Sequence, residues 1–203
     1  MSTDLRFKIE DSYLLYLWIM KGLDGLNLPS HKRLIVSLAC QDIVIEHYLG
    51  ILNLLEKKIY SPAFALVRSV FETFVRGVWL GRCATDLQIE EYESDNLDIK
   101  FYILLDEIEK LPEYASKNLS GLKKIGWKAM NSYVHGGIQQ AARRVSAGNI
   151  TPAFVSEEVV EVIRLGETFA LFAFIEIALS IERFDLISLA TDKLYERELF
   201  VKK

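Results

Sequence analysis

Two short polar segments carry side chains able to act together on a charged group. In the first, FALVRSVFETFVRGVWL over Phe64–Leu80, the charged residues Arg68, Glu72 and Arg76 recur at every fourth position. At about 100° per residue they fall within roughly 80° of one another, while Phe64, Val67, Phe71, Phe74 and Val78 centre on the neighbouring face. One reading is a surface row of ion pairs, each worth about 0.3–0.5 kcal/mol. The other is a cleft between helices, in which Glu72 orients two guanidiniums toward an anion or toward Glu176. The narrowness of the strip, and Trp79 on the same face, favour the cleft.

The second segment is Asn131-Ser-Tyr-Val-His135-Gly136-Gly137, with Tyr133 two residues before the histidine. His135 stands at a predicted helix end, where glycines let the chain turn sharply. It either caps the last carbonyls or moves a proton near a bound phosphate. The segment lies in a stretch, Tyr114–Ser156, without a single Asp or Glu. That stretch holds Lys117, Lys123, Lys124, Lys128, Arg143 and Arg144, so it carries +6 against −10 for the rest of a chain whose net charge is −4. A solvated basic face is one explanation; an anion site is the other. The candidate anion-binding residues are Arg68, Arg76, Lys128 and Asn131. Glu72, Glu176 and Tyr133 read as structural polar groups. Glu176, between Ile175 and Ile177, must find a cation or stay protonated, because burying an unpaired carboxylate costs several kcal/mol.

No metal site or cofactor is expected. Asp42, Glu46 and His47 have no second Glu/His pair at helical spacing, and Cys40 and Cys83 have neither the spacing of a metal knuckle nor the number for a disulfide framework. They read as free thiols in a reducing compartment. His31 and His47 read as structural or surface histidines.

The elements that must position these residues are helical, with no convincing alternating strand. Helices are predicted over about 4–26, 30–58 with Ser30 as cap, 61–84 started by Ser61-Pro62, 96–110, a weaker one over 119–134 interrupted by Gly121 and Gly126, 156–181 and 184–200. A short acidic piece covers 86–94, a resumption of helix is expected over 138–145, and 148–152 is the clearest loop. The segment Phe169–Ile181 is apolar almost all round and should be central. With 51% hydrophobic and 26% charged residues and only 11 Gly and 4 Pro in 203 residues, collagen-like and disordered classes are excluded. The chain therefore reads as an all-α, single-domain bundle of about six to eight helices over residues 1–203. The polar N-terminus does not read as a signal peptide, and the longest unbroken apolar runs, Tyr13–Met20 and Phe169–Ile175, fall short of the ~20 residues of a membrane span. A cytoplasmic location, with no membrane partner, is expected. Surplus apolar surface predicts a homodimer.

The pairing of Arg68-Ser-Val-Phe-Glu72 with Tyr133-Val-His135-Gly136 resembles a group of uncharacterised bacterial all-helical domains that share an R-S-x-F-E helix and a Y-x-H-G helix end. More remotely it is similar to HEPN domains, dimeric helical bundles of toxin–antitoxin and phage-defence systems, many of them metal-independent ribonucleases. Their motif is an arginine, a polar residue and then a histidine. Here Lys128 stands at the compatible distance before His135, with Asn131 as the polar residue. Lysine lacks arginine's planar fork, so Arg68 would have to supply it in space. The resemblance implies His135 as general base on a ribose 2′-hydroxyl, with Arg68 or Lys128 steadying the phosphorane. The alternative is a non-catalytic module binding an anionic ligand or a cognate protein partner.

Overall fold

The computed structural model describes residues 3–27, 29–146 and 148–199. Among them the chain forms nine α-helices: α1 (Thr3–Leu23), α2 (Lys32–Glu56), α3 (Tyr60–Arg82), α4 (Asp86–Glu93), α5 (Phe101–Ile108), α6 (Asn118–Val134), α7 (Ile138–Ala142), α8 (Ser156–Ser180) and α9 (Phe184–Glu196). A single 3₁₀ turn, Pro112–Tyr114, precedes α6, and Val145–Ser146 pairs antiparallel with Asn149–Ile150. The molecule is an all-α helical bundle. The helix count exceeds the sequence expectation because 86–93 and 138–142 are helices in their own right.

Residues 57–59 turn α2 back onto α3. Lys58 takes a positive φ of 59°, and the Ile59 N–H reaches the Leu54 carbonyl at 2.7 Å. Helix α3 sits at the centre, against α2, α5, α6 and α8, while α8 also meets α1 and α9. Its apolar stripe drives this: Phe71, Phe74, Val75, Val78 and Trp79 are wholly buried. Phe74 and Phe71 pack on Phe169 of α8 at ring distances of 5.2 and 5.6 Å. The predicted central helix is confirmed in α8, where Ala170, Leu171, Ala173 and Phe174 have no exposed surface.

Several boundaries differ from the sequence expectation. The residue before α2 is His31, not Ser30, and it makes no side-chain cap; α3 begins at Tyr60, so Ser61 and Pro62 lie inside its first turn. Proline is tolerated there because a first-turn N–H has no helical partner to lose. The real side-chain cap is Thr85 at the start of α4, in a reciprocal capping box with Gln88. The predicted 96–110 helix shortens to Phe101–Ile108, and Gly121 and Gly126 do not interrupt α6. The predicted end of the last helix at Phe200 lies outside the described residues. By length and composition α2 is apolar enough to cross a membrane, although its unbroken apolar runs are short; 44% of its most apolar window is buried.

Helix α1 leaves Phe7, Leu14 and Leu17 more than half exposed. Its opposite face is fixed by a buried ionic cluster. Glu167 of α8, with a fully buried side chain, accepts hydrogen bonds from Lys8 Nζ on both oxygens (2.9 Å each), Ser12 Oγ (2.6 Å) and Arg197 Nη1 (2.8 Å).

A candidate anion site where two helices meet

Helix α3 places Arg68 and Glu72 one turn apart, and Arg68 Nη2 donates to Glu72 Oε1 at 2.9 Å. Helix α6 approaches this face with Trp127, Asn131 and His135, again at four-residue spacing and so on one side of the helix. The Arg68 guanidinium lies 4.9 Å from the Trp127 ring centre, and its Nη1 is 2.8 Å from His135 Nε2. The Trp127 ring is in turn stacked on Phe101 of α5, with centroids 5.1 Å apart and planes 15° apart. Arg68 is therefore held from three sides: a carboxylate, an aromatic ring and an imidazole.

His135 is the residue that ends α6, and its backbone N–H bonds to the Asn131 carbonyl at 3.0 Å. Gly136 follows with φ +65°, a conformation strained for other residues, and the Gly137 N–H closes on the Ser132 carbonyl at 2.7 Å. The backbone thus caps the helix. The imidazole, on an exposed residue, is left to face Arg68. A guanidinium can only donate, so the 2.8 Å contact requires a lone pair on Nε2 and hence the neutral imidazole with its proton on Nδ1. That is the proton-accepting form.

Arg68 Nε, on the same guanidinium, and Asn131 Oδ1, one turn before His135, are buried without a hydrogen-bond partner among the described residues. One is a donor and the other an acceptor, and buried groups of this kind are normally satisfied.

The other predicted residues fall elsewhere. Arg76 does not share Glu72 with Arg68. It lines a separate cavity of about 470 Å³ with Cys40, Glu72, Thr73, Tyr92 and Asp95, and makes no ion pair among the described residues. The expected pairing of Glu176 with Arg68 or Arg76 is also corrected. Arg82, at the end of α3, reaches Glu176 Oε2 at 3.2 Å, and the Tyr114 hydroxyl donates to Oε1 at 2.8 Å. Arg82 lies more than three helical turns beyond Arg68, and so comes level with the part of α8 that carries Glu176. Burial pushes the Glu176 carboxyl up, against Arg82 and the Tyr114 hydrogen bond, which hold it down.

Tyr133 points away from His135 into the core, packed on Phe64 at 5.1 Å with the Arg143 guanidinium 5.6 Å from its ring; burial raises its phenol. Arg143 is neutralised by Glu158, so the acid-free stretch is less positive than its composition implies. Trp79, expected beside the polar strip, is fully buried, and its indole N–H donates to Glu107 Oε2 at 2.5 Å. Lys128 is exposed two turns before His135. Among the described residues, no three His, Cys, Asp or Glu side chains gather as a metal-binding group.

Sequence reasoning missed Trp127, whose signal was its place eight residues before His135. It also missed Glu167, a lone acid within an apolar helix much like Glu176. A model for a family of unknown function, DUF6988, matches residues 41–186, a span that contains Arg68, Glu72, Trp127, Asn131 and His135. No curated protein and no solved structure matches the chain.

Proposed function

The chain belongs to this family of unknown function, and from that premise we propose that it is a HEPN-like, metal-independent ribonuclease acting in the cytoplasm in stress or phage defence. The observation that carries the reading is the 2.8 Å contact between Arg68 Nη1 and His135 Nε2 at an exposed helix end. It joins the phosphate-binding group to an imidazole nitrogen placed to accept a proton. In the reaction a scissile phosphate takes over the guanidinium, which frees the Nε2 lone pair. His135 then accepts the proton of the ribose 2′-hydroxyl as that oxygen attacks phosphorus. The bond to the 5′-oxygen breaks, the leaving oxygen takes a proton from water, the hydroxide so formed removes the proton from the His135 imidazolium, and a 2′,3′-cyclic phosphate forms. Arg68 stabilises the charge that builds on the phosphorane oxygens.

The test is incubation of a labelled RNA pool, in the presence of a chelator, with wild type, His135→Ala and Arg68→Ala. Cleavage by wild type with cyclic-phosphate ends, abolished in His135→Ala and reduced about 10²–10³-fold in Arg68→Ala, is the expected result. Equal cleavage by His135→Ala, or none by wild type, refutes it. A homodimer built on the exposed Phe7, Leu14 and Leu17 of α1 belongs to the same proposal. It requires a dimeric mass by light scattering that Leu14→Glu converts to a monomeric one.

A non-catalytic reading rests on a different observation, the Arg76 cavity, where a guanidinium without an ion pair among the described residues faces about 470 Å³ of space. It predicts phosphate or carboxylate binding lost in Arg76→Ala and kept in His135→Ala, measured by calorimetry.

A further inference from the structure

We propose that the groove between α5 and α6 is the track along which a single-stranded RNA reaches Arg68 and His135. This names the substrate form of the ribonuclease reading above and rests on it. The groove encloses about 510 Å³ and is bordered by Tyr102 and Asp106 from α5 and by Lys123, Lys124, Trp127 and Lys128 from α6. Three lysines face one carboxylate there, and among the described residues none of the three is neutralised by an ion pair. Such unneutralised cations displace counterions from a polyanion, and that release supplies most of the affinity for a phosphate backbone.

Continuity with the candidate site is physical. Lys123 Nζ lies 5.5 Å from the Trp127 ring centre, and the same ring carries the Arg68 guanidinium at 4.9 Å. Trp127 is therefore the shared wall between the groove and the cleavage pair. Along α6 the cations lead to Asn131 and His135; Lys124 and His135 are eleven residues apart, roughly 16 Å of helix. Tyr102 is 51% exposed at the groove edge, a ring on which a base can stack only when it is not already paired within a duplex. The basic wall together with a free aromatic ring selects an unpaired strand.

The experiment uses the full chain carrying His135→Ala, so that RNA is bound and not cut. Fluorescence anisotropy follows a labelled twelve-nucleotide single strand and the duplex of the same sequence over a salt series. The expected result is tighter binding of the single strand, a loss of at least tenfold with Lys124→Glu/Lys128→Glu, and a salt slope shallower by roughly two. Tyr102→Ala should weaken the single strand roughly 5- to 150-fold and leave the duplex unaffected. Lys57→Glu, in the α2–α3 turn and outside the groove, controls for net charge. No binding, equal binding of duplex, or losses no greater than in Lys57→Glu overturn the track, even if wild type cleaves RNA. Binding that behaves as expected while wild type cleaves nothing upholds the track and refutes the cleavage reading alone.

Discussion

Glu167→Gln is a sharp test of how the bundle is held together. The substitution keeps the shape of the side chain but removes the negative charge that takes four hydrogen bonds from Lys8, Ser12 and Arg197. The amide also turns donor N–H groups toward a guanidinium and an ammonium. Breaking a buried pair by neutralising one partner costs about 3–5 kcal/mol, because it strands the other charge. Here the side chains of Lys8 and Arg197 are only 25% and 14% exposed. Relief comes from Asp11, which stays 2.8 Å from Arg197 and 3.9 Å from Lys8 but is itself 37% exposed. The loss therefore belongs at the lower end, about 3 kcal/mol. At roughly 2–4 °C per kcal/mol for a chain of this size, the melting temperature should fall by about 6–12 °C. Urea denaturation followed by circular dichroism should show a lower midpoint at an unchanged slope. A double-mutant cycle with Arg197→Met should return a coupling of at least about 1 kcal/mol. A melting-temperature shift of less than about 2 °C, or a coupling near zero, would falsify the idea that this cluster fastens α1 and α9 to α8.

Two acids should respond to pH with opposite signs. Glu158 is held below its ordinary value of 4.5, chiefly by the Arg143 hydrogen bond; its stabilisation is present above 4.5 and lost as pH falls through the lowered folded value. The stability gap between wild type and Glu158→Gln should accordingly be open at about pH 7 and narrow by about pH 3. Glu176 is pushed up by burial, so its native form retains a proton that the unfolded chain has released, and stability declines as pH rises through the raised value. Glu176→Gln should gain on wild type over that rise; a gap that does not move with pH contradicts the assignment. A Cβ on Gly137 would sit 2.4 Å from Ser132 Oγ and 3.0 Å from Ser132 Cα. Gly137→Ala should cost about 1–3 kcal/mol and lower the proposed RNA cleavage by displacing His135, whereas cleavage equal to wild type would show that the turn does not aim the imidazole.

The periodicities of α3 and α8 were legible in the linear chain because a helix that must bury one face, or all of itself, leaves that requirement in its residue spacing. The Arg68–Glu72 rung was legible for the same reason, since residues four apart on a helix are neighbours whatever surrounds them. Helix starts were less so. Ser30 and Ser61 have the chemistry of caps, yet neither caps: α2 follows His31 without a side-chain bond, the α2–α3 turn starts α3 already at Tyr60, and a capping box forms at Thr85. Partner choice was decided by tertiary structure alone. Arg82, not Arg68 or Arg76, meets Glu176, and Arg68 meets His135 sixty-seven residues away. Charge type and helical phase place a side chain on a face. Only the relative height and crossing of two packed helices determine which cation comes level with which acceptor.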